Sequence, residues 1–290
     1  MSALNAILLG VLQGILEFLP VSSFGHIAAL RNILGLKEGT GAVFEVFVHL
    51  GTLAGVIRFY RKDVRRLLEE SYGMLMDLVG NGFLFFHNKK YMEQVSYHKI
   101  LDSSYRRFTA LILLSMVPTA IIGLSARGLA QLAAASAIAP GIGMLLNGVF
   151  LIVADFSGCG KEQTAKKLGA HAFMWMGIVQ GLSVFPGISR CGLTTGTGMF
   201  CGYNQKLAVR ISCLMAIPAI LGAFLVEIFS AIKNGLSDPV PLCILGALAA
   251  ALTGCLLAEA LLKLLQKAKF RYFAIYCFIA GAFFLWGSAR

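Results

Sequence analysis

Three apolar stretches, residues 205–232, 240–264 and 270–288, follow one another almost without interruption and close the sequence. Each reaches or approaches the roughly 20 residues that a helix needs to cross the hydrocarbon of a bilayer. Stretches at about 42–60, 107–126 and 137–155 read the same way, which predicts six full spans. Only 13% of the 290 residues are charged and 58% are hydrophobic, whereas soluble domains carry about 25% charged residues. An integral membrane protein is therefore expected. Nothing alternates polar and apolar residues over short strands as transmembrane β-barrels do. The fold expected is all-α, because helices satisfy their own backbone hydrogen bonds in lipid.

Two further stretches, 3–35 and 170–202, are long enough to span but are interrupted midway. Pro20, followed by Ser22, Ser23 and Gly25, breaks the first; Pro186-Gly187, followed by Ser189, Gly192 and Thr194, breaks the second. Proline ends a helix and serine caps the next, so each stretch reads as a re-entrant helical hairpin. Irregular backbone at membrane depth survives only where protein buries it or where it lines a wet cavity.

The net charge of +11 is concentrated in a few loops, a pattern of membrane topology rather than of nucleic-acid binding. Ten basic residues fall between Arg58 and Arg107; Lys161, Lys166 and Lys167 follow, then Lys263, Lys267, Lys269 and Arg271. Six spans and two hairpins that return to their own side put all three clusters on one face, the cytoplasmic one. Both termini and the first hairpin then lie outside, and the second hairpin enters from inside. A hairpin followed by a long span occurs twice with opposite entry, the mark of an inverted-topology repeat. One membrane domain over 1–290 is expected, with repeat halves at about 1–126 and 137–290 and a cytoplasmic basic loop at 61–106. The seven cysteines, an odd number without a C-x-x-C pair, read as small buried apolar residues. The N-terminus lacks the basic region and cleavage site of a signal peptide and is taken as mature protein.

The hairpins carry polar groups that lipid does not tolerate without reason. In "QGILEFLPVSSFGH", Gln13 and Glu17 share a helix face, Ser22 and Ser23 stand where the next helix begins, and His26 lies in its first turn. In "QGLSVFPGISRCGLTTG", Ser189 and Arg190 take the corresponding place, with Thr194 a turn later. Joined, the islands would offer two helix N-termini, hydroxyls, a guanidinium, an imidazole and a carboxylate. Such a set suits a phosphate or diphosphate, with His and Glu to move protons. Each element has a plainer reading. A serine there can be only a cap, His49 and His171 structural, His87 and His98 solvated, and Glu17 with Arg190 a buried structural ion pair. Glu45, Asp155, Glu227 and Glu259 read as span-end or supporting groups. No H-x-x-x-H, Cys/His set or D-x-D marks a metal site.

The islands resemble the signatures of the undecaprenyl-diphosphate phosphatase family, the bacitracin-resistance type of bacterial membrane phosphatase. One signature is Glu/Gln-x-x-x-Glu running into F-L-P-V-S-S-x-G-H, here Gln13, Glu17 and "FLPVSSFGH"; the other is P-G-x-S-R-S-x-x-T, here "PGISRCGLT". The likeness covers essentially the whole chain. It implies hydrolysis of undecaprenyl diphosphate to undecaprenyl phosphate, a site open to the outside, and a role in peptidoglycan synthesis. Carried over, Glu17 and His26 look like an acid/base pair and Ser23 like the nucleophile or else a direct phosphate ligand. Ser22 looks like its neighbour in the pocket, and Ser189, Arg190 and Thr194 like the diphosphate clamp. Gln13 takes the first place of the acidic pair. Cys191 replaces the family's usual serine, which implies a supporting role there, and Phe24 stands where a small residue is common. Partners implied are polyprenyl diphosphate and the membrane, without nucleic acid, and a homodimer is left open. No cofactor is certain, with a divalent cation (Mg2+ or Ca2+) bridging the diphosphate left open. A transporter or flippase of polyprenyl phosphate is the rival function, because inverted repeats with broken helices are also transporter architecture.

Overall fold

The computed structural model describes residues 1–33, 42–92, 95–157, 169–235 and 239–288. The basic residues Lys161, Lys166 and Lys167 lie outside the described residues, as does the end of the first hairpin stretch beyond 33. Eleven helices account for nearly all of the described chain: α1 (Ala3–Leu16), α2 (Ser23–Ile33), α3 (Ala42–Phe59), α4 (Arg61–Tyr91), α5 (Ser104–Ala134), α6 (Ala139–Phe156), α7 (Ala170–Leu182), α8 (Arg190–Phe200), α9 (Gln205–Asn234), α10 (Val240–Leu265) and α11 (Phe270–Ser288). By length and composition α5, α6, α9, α10 and α11 can cross a membrane, and α3 with α4 makes a sixth if that bent pair counts as one span. The protein is an all-α, multi-pass membrane protein.

Both interrupted stretches are helix, break, helix. α1 ends at Leu16 and α2 starts at Ser23; α7 ends at Leu182 and α8 starts at Arg190. Ser22 and Ser189 cap the second helix of their pairs in the same way, each hydroxyl accepting the N–H of a glycine three residues on. The distance is 3.3 Å from Gly25 to Ser22 and 3.1 Å from Gly192 to Ser189.

Small residues let backbones meet where lipid-facing helices need close packing. A Cβ on Gly10 or Gly14 of α1 would come within 2.3 and 2.8 Å of carbonyl oxygens of α10. On α7, a Cβ on Gly177 would lie 2.2 Å from the carbonyl oxygen of Ser115 of α5, and one on Gly181 2.8 Å from the Cβ of Ile122. Thus α1 lies on α10 while α7 lies on α5; α3 packs on α10 and α9, and α6 packs on α11. α6 also supports the second break directly, since a Cβ on Gly143 would sit 2.0 Å from the Pro186 carbonyl oxygen.

The segment expected as a basic loop holds α4, which leaves α3 at 101° after a single residue. It is tied to the spans by polar contacts. Arg106 reaches Glu70 at 3.2 Å and Asp77 at 2.5 Å, and Arg210 of α9 reaches Asp63 at 2.5 Å.

Candidate active site

The two breaks face one another in the interior. A Cβ on Gly25 would meet the Cα of Gly187 at 3.5 Å, and Asn147 of α6, 1% exposed, joins the two turns. Its Nδ2 donates to the Pro20 carbonyl at 2.8 Å, and its Oδ1 accepts the Ser189 N–H at 3.1 Å. One buried amide thus satisfies a backbone acceptor in one break and a backbone donor in the other, groups that would be costly to leave unpaired.

This arrangement brings Glu17, just past the end of α1, against Arg190, the first residue of α8. Arg190 NH2 lies 2.5 Å from Glu17 Oε1, with side-chain exposures of 17% and 6%. Arg190 NH1 donates to the Ser212 carbonyl of α9 at 3.2 Å. The other carboxylate oxygen, Glu17 Oε2, accepts Gln13 Nε2 at 2.6 Å and lies 3.5 Å from His49 Nε2. The ion pair allowed by the plainer reading therefore exists, but it is not sealed in the core.

A cavity of about 470 Å3 opens on it, lined by Glu17, Ser23, Phe24, His49, Ser189, Arg190 and Cys191 together with residues of α5, α7 and α9. Ser23 and Arg190 hold equivalent places, the first residue of α2 and of α8, so both helix N-termini border the cavity. Farther along, its walls are apolar or small, with Ala120, Gly123 and Leu124 on α5 and Ala219, Gly222 and Ala223 on α9. It ends beside an ion pair between Arg127 of α5 and Glu227 of α9, 2.8 Å apart.

Of the residues singled out from sequence, Glu17, Ser23, Ser189 and Arg190 line the cavity. Gln13 stands behind Glu17, fully buried. Ser22 is 2% exposed and does its work as a cap, with φ of +62° in the left-handed region that L-residues other than glycine rarely occupy. Thr194, one turn beyond Arg190 on α8, is fully buried, and its hydroxyl meets Ser212 Oγ at 2.6 Å and donates to the Arg190 carbonyl at 2.8 Å. His26 turns away from the cavity. Its Nδ1 donates to the Ser22 carbonyl at 2.7 Å, its Nε2 meets the Tyr276 hydroxyl at 2.6 Å, and its ring stacks on Tyr276. This histidine holds the strained Ser22 turn. Three residues that sequence reasoning left aside belong to the site: His49, Asn147 and Gln180. Gln180 is 3% exposed, lines the cavity, and carries a buried Oε1 without a partner.

The other acids find cations. Glu45 pairs with Arg31 at 2.8 Å, Asp155 with Arg271, and Glu259 with Lys263 at 2.5 Å.

The family model for the bacitracin resistance protein BacA matches residues 6–283. The chain belongs to the BacA family. Its curated relatives span its full length. It is 34% identical over 284 residues to a protein of Alkaliphilus metalliredigens, with 97% of each chain covered. It is 35% identical over 297 residues to one of Desulfosudis oleivorans, with 100% of each covered. A protein of Methanosphaera stadtmanae is 32% identical over 278 residues, 96% of this chain and 95% of that one. All three relatives are named undecaprenyl-diphosphatase.

Proposed function

We propose that this BacA-family protein hydrolyses undecaprenyl diphosphate to undecaprenyl phosphate and inorganic phosphate, returning the carrier to peptidoglycan synthesis and conferring bacitracin resistance. The observation that carries the proposal is the Glu17–Arg190 pair, 2.5 Å apart, on the wall of a cavity between two helix N-termini. A guanidinium with donors to spare and the partial positive charge of two helix N-termini complement the oxygens of a diphosphate. Ser23 borders it with a hydroxyl, while the Ser189 hydroxyl, which accepts from the Gly192 N–H and donates to the Leu19 carbonyl, fixes the turn beside it. The apolar walls on α5 and α9 suit the start of a prenyl tail, and the names of the full-length relatives point to the same substrate.

Water is the attacking group in this proposal, with Ser23 as a phosphate ligand. A serine nucleophile needs a base within hydrogen-bond reach, and the ring nitrogens of its sequence neighbour His26 are held by Ser22 and Tyr276. A divalent cation bridging the diphosphate would draw its ligands from the substrate and Glu17, because among the described residues no three His, Cys, Asp or Glu side chains converge.

Outward access is supported by the direction of the spans. α3 ends and α5 begins beside the basic cluster from Arg58 to Arg107, so Glu45 and Arg127 sit at the opposite ends of those helices. The inverted repeat is supported by packing. Exchanging α1, α2, α3, α5 and α6 for α7, α8, α9, α10 and α11 carries α1 on α10 into α7 on α5 and returns α3 on α9 and α6 on α11 to themselves. In this proposal α6 is grouped with the first half.

Purified protein in detergent, given undecaprenyl diphosphate with and without chelator, tests the function. Release of inorganic phosphate with no phosphorylated residue 13–30 peptide trapped is expected. Binding or vesicle transport of the lipid without phosphate release would establish the transporter instead.

A further inference from the structure

α4 carries its polarity the wrong way round for a helix in water. Leu68, Tyr72, Leu75, Val79, Phe83 and Phe86 recur at steps of three or four residues, so they form one stripe along the helix. Each is between 46% and 73% exposed. The face turned to the protein is the polar one. Asp63 and Asp77 reach Arg210 and Arg106, each at 2.5 Å. Asn81 makes two hydrogen bonds to the backbone of His98, and Asn88 two to the backbone of Val95, at 2.7 to 3.1 Å. Asp77, Asn81 and Asn88 stand two residues from Val79, Phe83 and Phe86, which at 3.6 residues per turn is the far side of the helix. Residues 95–98, themselves exposed, therefore strap α4 from the side opposite the stripe. A helix on a water-washed surface turns its apolar stripe to the core and its charges outward. α4 does the reverse, so the medium against its stripe is not water.

Direction and charge identify what covers it. α4 leaves α3 at 101°, and a helix perpendicular to a span lies in the plane of the membrane surface. The stripe also begins and ends in cations. Arg61 and Arg65 continue its line before Leu68, Lys90 continues it one turn after Phe86, and all three are exposed. The acid at its edge, Glu69, is paired with Arg65 at 2.7 Å. Long cationic side chains at the ends of an apolar stripe lay their stems on lipid and hold their charge at the headgroups. A second copy of α4 fits badly, because both parallel and antiparallel pairing of two stripes set cations against cations. Anionic headgroups offset the same charges.

We propose that α4 is an interfacial helix that binds anionic phospholipid in the leaflet beside the basic cluster. Its stripe enters the headgroup and acyl boundary to a depth of about 5–10 Å. Arg61, Arg65 and Lys90 hold the headgroup phosphates, and the strap at 95–98 stays in water. The inference is independent of the diphosphatase reading.

Lipids brominated on their acyl chains quench an indole that they touch, and they test this with the full-length protein reconstituted in vesicles. In a Trp175→Phe, Trp286→Phe background, a single indole is introduced by Phe83→Trp on the stripe or by Ser96→Trp on the strap. Brominated chains should quench the Phe83→Trp indole, and phosphatidylglycerol should compete for its surroundings at least about fivefold better than phosphatidylcholine. Arg61→Gln, Arg65→Gln and Lys90→Gln together should abolish that preference while the quenching itself persists. The Ser96→Trp indole should be quenched by aqueous iodide and by neither lipid. Iodide quenching of the Phe83→Trp indole without quenching by brominated lipid would place the stripe in water and overturn the proposal. Shielding from both quenchers would mean that a second copy or another protein covers the stripe, which also overturns it. Equal quenching by the two brominated lipids, or a preference that survives loss of the three cations, would overturn the recognition of anionic lipid.

Discussion

Glu17 draws a residue from each of three other helices or turns onto one carboxylate: Arg190 from α8, His49 from α3 and Gln13 from α1. Only the last is visible as a local pattern, because Gln13 and Glu17 are four apart on one helix face. Asn147 is silent in the sequence for the same reason. Its partners Pro20 and Ser189 lie 127 and 42 residues away, so nothing in its own neighbourhood marks it. His49, read from sequence as a structural histidine, sits in an apolar span whose polar partner belongs to a different helix. His26 shows the opposite limit: its place after Ser22 is legible, but the direction of its ring was set by Tyr276 of α11.

The Asn147 amide makes a prediction at this scale. Asn147→Leu leaves the Ser189 N–H and the Pro20 carbonyl buried without partners, a cost of about 1–3 kcal/mol each. A lower melting temperature in detergent and a loss of phosphate release are expected together. Asn147→Asp retains the acceptor for Ser189 but loses the donor for Pro20, and should fall between Leu and wild type in both measurements.

At the scale of elements, spans and breaks were readable because lipid imposes length and composition on a helix, and proline with a capping serine punctuates it. α4 was not, because its charged and apolar residues alternate irregularly and its direction comes from ion pairs with α5 and α9. Its nearly perpendicular exit from α3 and its exposed Phe83, Phe86 and Leu75 suit a helix lying along the membrane surface. Close backbone contacts are the other feature of this scale. Gly143→Ala would place a methyl group 2.0 Å from the Pro186 carbonyl oxygen, where neither backbone can yield cheaply. Overpacking of this kind costs about 1–3 kcal/mol, so the melting temperature falls and the second break shifts away from the first. Gly82→Ala on α4, with nothing within 4 Å of the new methyl, should be neutral or stabilise by up to about 1 kcal/mol. Thermal melts of the two variants side by side check the contrast.

For the molecule as a whole, the cavity runs from the paired breaks toward the ends of α5 and α9 that lie away from the basic cluster. In a cysteine-free background, Gly128→Cys, one residue beyond Arg127 and facing open space, should react with a membrane-impermeant thiol reagent added outside intact cells. A cysteine at Lys267 should react only after permeabilisation. The reverse pattern would invert the topology and close the proposed route from outside.

The central claim is that the two broken hairpins meet to form one catalytic centre, with Glu17 from the first and Arg190 from the second. Phosphate release from undecaprenyl diphosphate, measured on purified wild type, Glu17→Ala and Arg190→Ala, tests it most directly. Removing one preorganised charge partner from such a site lowers turnover by about 100- to 1,000-fold, and each variant alone is expected to lose at least that much. Wild-type rates from both variants would contradict the account.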